Sequence, residues 1–100
     1  MATRQLGRSI ALQSLYEWDF SGRVGDLSRI VKRNLNEFGV GFHEADFLSR
    51  IIDGVRAHEA EIDGMIEKAA PEWPLEQIAI VDRNVLRIGL YELLYAPKEE

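Results

Sequence analysis

The chain contains no cysteine. That excludes a disulfide framework, a thiolate metal site and a cysteine nucleophile. Histidine is scarce, with His43 and His58 the two present. Three prolines and eight glycines in 100 residues are too few for a collagenous or low-complexity chain. No apolar run approaches the roughly 20 residues of a membrane-spanning helix. Met1 to Gly7 is polar and basic, and no apolar signal core follows it. These absences predict a soluble, cytoplasmic protein. Hydrophobic residues make up 46%, which is enough to build a core and too many for a disordered chain. At this length about 65% of the unfolded surface is buried on folding, so one core is expected.

Charge is in short supply on the positive side. The net charge of −5 argues against a general nucleic-acid binder. Its distribution is uneven. Residues 1–33 carry six basic and three acidic side chains, a net of +3. Residues 34–100 carry six basic and fourteen acidic, a net of −8. Either the charges simply decorate solvated faces, or a local basic site sits on an acidic body.

Apolar periodicity predicts helices and no strands. In Arg4 to Phe20, the residues Ala11, Leu12, Leu15 and Trp18 fall on one side, and Ser21-Gly22 ends the run. Asp26 is the expected N-cap of a second helix to Phe38, with Leu27, Ile30, Val31, Leu35 and Phe38 as its stripe. Gly39 and Gly41 are expected exit residues. A long third helix is expected from His43 to Ala70. Gly54 and Gly64 inside it would each permit a close contact or a bend. Pro71, Trp73 and Pro74 end it. The fourth segment, Leu75 to Tyr95, breaks near Ala79. Val81, Val85, Ile88, Gly89 and Leu93 lie on one side of it, and Ile80, Leu90 and Leu94 on another. A helix apolar on two sides is expected to be central. The fold class is all-α, a bundle of four or five helices.

Catalytic constellations are lacking. His43 and His58 do not form a His-Glu-x-x-His zinc pair. Gly39-Val40-Gly41 lacks the glycine and lysine of a phosphate loop. No enzyme, metal or cofactor is expected. The arginines are more informative. Arg4 and Arg8 stack at i, i+4 at the head of the first helix. Tyr16 borders the same stripe. Arg83, Arg87 and Tyr91 repeat at i, i+4, i+8, and Tyr95 extends the row. Guanidinium groups pair with phosphates and rings stack on splayed bases, which suits single-stranded RNA. The plainer reading is that tyrosines fill the core while arginines bridge to carboxylates. Asp82, at a helix start, would stabilise the dipole, orient Arg83 or accept from a base amino group.

The run Ala11 to Gly22, with Tyr16 and Trp18, resembles the opening helix of the NusB family of transcription antitermination factors. Ile52 to Val55 and Glu61 to Asp63 resemble its middle. Trp73-Pro74-Leu75 and Val81 to Tyr95 are the strongest match. The resemblance implies an all-helical fold that binds boxA, a single-stranded RNA element of ribosomal RNA leaders. It implies a small-subunit ribosomal protein, NusE, as partner, and an antitermination complex with RNA polymerase. By the same resemblance, Arg4 and Arg8 stand in the family's RNA-binding helix start, and Tyr16 at the family tyrosine. Asp82 and Arg83 match its acid-base pair, with Arg87 one turn on. Family members continue into a proline-containing loop and further helices after the position of Glu100. The resemblance therefore implies one NusB-like RNA-binding domain over residues 1–100 that lacks the family's C-terminal helices. Two alternatives stand beside this. One is the NusB-like domain of a ribosomal RNA cytosine methyltransferase. The other is a helical interaction module without RNA, self-associating as a homodimer through Ile80, Leu90 and Leu94.

Overall fold

Helix α1 spans Thr3–Phe20. It ends in a tight turn in which Gly22, Arg23 and Gly25 all have positive φ. The Gly22 N–H donates to Asp19 O at 3.0 Å and the Arg23 N–H to Trp18 O at 2.9 Å. These bonds satisfy carbonyls that the helix end would leave open. Helix α2, Leu27–Phe38, begins as expected at Asp26, whose Oδ1 accepts the Ser28 N–H at 3.0 Å. The structure, a computed structural model, describes residues 3–38 and 45–97. The expectations placed on Gly39, Gly41 and His43 lie outside the described residues.

The expected long third helix is two helices, α3 (Ala45–Ala57) and α4 (Glu59–Ala69). The break falls at His58 rather than at a glycine. The His58 ring stacks on Tyr95, 3.8 Å between centroids and 11° apart, and its Nδ1 lies 3.0 Å from Glu61 Oε1. Gly54 serves the other role, close approach. A methyl group there would lie 2.7 Å from Tyr91 Cδ1 and nearer still to Cε1 and Cζ. Gly64 has open space beside it. A single 3-10 turn, Leu75–Gln77, then leads to α5, Ile80–Leu94, with the expected break at Ala79.

Among the described residues there are five α-helices and no strand. Helix α1 packs against α2, α3 and α5, and α5 packs against α1, α3 and α4. The core comprises Ile10, Ala11, Leu15 and Trp18 of α1, five residues of α3 from Phe47 to Val55, Ile62 and Ile66 of α4, and Ile88 and Tyr91 of α5, with Leu27 of α2. Among the described residues no helix is long and apolar enough to cross a membrane.

Helix α5 corrects the sequence expectation. Its buried residues are Asn84, Arg87, Ile88 and Tyr91. A largely polar face turns inward, so part of the apolar stripe assigned to the core faces out. Val81, Val85, Leu86 and Leu93 are exposed, with Leu94 beside them. Ile80 and Leu90, expected on the open side, are half-buried, and Leu90 packs against the core. The helix is central on three sides and open on one.

Candidate nucleic-acid interface

The arginines divide into an internal set and a surface set. Asp19, near the end of α1, is the hub of the internal set. It accepts from Arg83 through Nε and Nη2, both at 2.8 Å, and from Arg87 Nη1 at 2.8 Å. Asn84 Nδ2 adds a bond at 3.0 Å. Arg87 also grips Asp63 of α4 in a two-point fork, Nε to Oδ1 at 2.8 Å and Nη2 to Oδ2 at 3.1 Å. Arg23 joins the cluster through Glu59 and Asp63. Burial alone would push the Asp19 carboxyl up, but bonds from Arg83, Asn84 and Arg87 outweigh it and hold it well below the usual range. Burial likewise opposes the charged Arg87 guanidinium, and Asp63 and Asp19 more than offset it. The cluster ties α1, α4 and α5 together, and no buried side-chain polar atom among the described residues lacks a partner.

This geometry places two expected site residues, Arg83 and Arg87, in the internal cluster. Arg87 is 2% exposed and Arg83 spends its guanidinium on Asp19 and on the carbonyls of Leu75 and Ile78. A phosphate would have to displace carboxylates from both guanidiniums, which is unfavourable. In this structure Arg83 and Arg87 bridge to carboxylates and Tyr91 lies in the core. Asp82 is exposed in the first turn of α5, and Arg83 takes its partner from α1 rather than from Asp82.

The surface set lies at the other end of α1. The Arg4 and Arg8 guanidiniums lie over one ring, that of Phe47 in α3, at 4.5 and 5.3 Å from its centroid. Arg8 Nε donates to both carboxylate oxygens of Glu92 in α5, at 2.8 and 3.1 Å. That bond raises the Arg8 pKa against the opposing effect of burial. A cleft of about 340 Å³ opens between these helices. Arg4, Arg8 and Arg50 line it with Phe47, Tyr91 and Glu92. The cleft brings three guanidiniums and the Glu92 carboxylate together on an acidic protein. Such a site can pair with phosphate oxygens through planar, two-point bonds. Tyr16 lies outside this cleft and stacks on exposed Phe20, 6.0 Å between centroids.

Residues 5–100 match the NusB family. The chain belongs to the NusB family. It is 35% identical to the transcription antitermination protein NusB of Elusimicrobium minutum over 104 residues, covering 98% of this chain and 69% of that protein. The counterpart from Geotalea uraniireducens is 36% identical, over 97% of this chain and 71% of its own length. A chain in the crystal structure of a plectonemic RNA supercoil superposes with a TM-score of 0.87 at 30% identity, covering all of this chain and 72% of that one. In this NusB-family fold, the family positions named from sequence therefore separate in space. Arg4 and Arg8 share the arginine-lined cleft, whereas Arg83 and Arg87 sit in the ion cluster. Phe47, Arg50 and Glu92 join the cleft without having been expected there. Phe47 reads as core from its spacing, and periodicity does not say that the start of α3 meets the start of α1.

Proposed function

We propose that this NusB-family chain is a non-catalytic antitermination factor that acts in the cytoplasm. It binds boxA-type single-stranded RNA together with the small-subunit ribosomal protein NusE, as part of an antitermination complex with RNA polymerase. The observation that carries this reading is the cleft holding Arg4, Arg8 and Arg50 on an otherwise acidic chain of this family. Arg4 and Arg8 pair with RNA phosphates. The exposed Phe20 ring beside Tyr16 offers a stacking surface for a base, and exposed Asp82 an acceptor for a base amino group. Arg83 and Arg87 contribute by holding α5 against α1 and α4.

The test is a titration of fluorescent boxA RNA and a scrambled RNA, each with and without NusE. The chain is expected to prefer boxA, NusE to tighten that preference, and R4A/R8A to weaken binding about tenfold or more. Equal affinity for boxA and scrambled RNA, with or without the ribosomal protein, contradicts the proposal.

A further inference from the structure

We infer that Phe47 is a positioning residue for RNA binding: its ring holds the Arg4 and Arg8 guanidiniums together, ready for neighbouring phosphates. The inference rests on the RNA-binding reading above and adds a residue to that site. Phe47 belongs to the buried core, so its ring is held in place by packing. Arg4 and Arg8 lie one turn apart and repel each other, as like charges at i, i+4 do. Sharing one ring offsets that repulsion, because the π electrons of the ring attract both cations. Arginine side chains also lose rotamer freedom when they bind. A ring that restrains both guanidiniums beforehand removes part of that cost from binding. Glu92 completes the arrangement. It takes Arg8 by Nε alone, leaving the four Nη protons to other acceptors. A leucine at position 47 would fill a similar apolar space but offer no π face to either cation.

The test compares F47L and F47Y in the full chain, with Arg4 and Arg8 intact and in an R4A/R8A background. Fluorescent boxA RNA is the probe, and side-chain NMR of the free protein is the second readout. In the unsubstituted protein the Arg4 and Arg8 Hδ resonances are expected upfield, shifted by the ring current. F47Y should keep that shift and bind as the parent does. F47L should lose it and bind roughly three- to tenfold more weakly. In the R4A/R8A background F47L should change RNA affinity no further, which a merely structural role would not produce. If R4A/R8A binds RNA as well as the parent, the RNA-binding reading fails and this inference with it. If R4A/R8A loses binding while F47L keeps it, the inference fails and that reading stands. Absence of the upfield shift in the unsubstituted protein overturns the inference whatever the RNA data, and needs no variant to fold.

Discussion

Asp19 concentrates more of the internal electrostatics than any other described side chain. It meets Arg83, Arg87 and Asn84 at once, with its own side chain largely buried. Replacing it with alanine leaves Arg83 without its carboxylate and Arg87 with Asp63 alone. D19A is therefore expected to cost about 3–5 kcal/mol in urea denaturation. Its pH dependence follows from the direction of the shift. The folded carboxyl is held below its unfolded value of about 4, so its contribution is complete above that pH. As the pH falls below about 4 toward the lower folded value, the contribution is lost. Glu17 shifts the same way: burial would raise it, but bonds from Gln13 and Arg33 prevail. Thermal melts should therefore show a falling midpoint below about pH 4, with a shallower fall in D19N. An equally steep fall in D19N would show that Asp19 does not drive the acid response. None of this was readable from Asp19 in the sequence, since a lone aspartate at a helix end has no distinguishing spacing.

At the scale of elements, the two glycines of the third segment make opposite predictions. Gly54→Ala places a methyl group into the buried Tyr91 ring and should destabilise by about 1–3 kcal/mol, through overpacking at the α3–α5 contact. Gly64→Ala meets nothing within 4 Å and should stabilise α4 by up to about 1 kcal/mol. Chemical denaturation of the pair checks both signs. The open face of α5 gives a third case. Val85→Glu is expected to change stability by no more than about 0.5 kcal/mol, because Val85 is 49% exposed. Helix existence, the Asp26 cap and the break at Ala79 were legible because they depend on local periodicity, capping and proline chemistry. The rotation of α5 was not. Apolar spacing assigns Val81 and Val85 inward, whereas the carboxylates of Asp19 and Asp63 draw Arg87 and Asn84 into the interior. Those partners lie 24 to 68 residues away in sequence, beyond the reach of a local pattern.

For the whole molecule, the uneven charge noted in the sequence resolves into two arrangements. One is an internal cluster that fastens α1, α4 and α5. The other is an arginine-lined cleft at the start of α1, on a chain with a net charge of −5. Arg4 and Arg8 were legible as a pair because i, i+4 spacing is a local property. Arg50, Phe47 and Glu92 were not, because the cleft exists only where α1, α3 and α5 converge. In the function proposed above, Arg4 and Arg8 bind RNA phosphates. Phosphate contacts release counterions, so each should contribute about 0.7 to the slope of log affinity against log salt. The decisive measurement is that slope for boxA RNA, in the parent chain and in R4A/R8A. A fall in its magnitude of about 1.4 is the result expected if both arginines neutralise phosphates. An unchanged slope would show that neither arginine neutralises a phosphate.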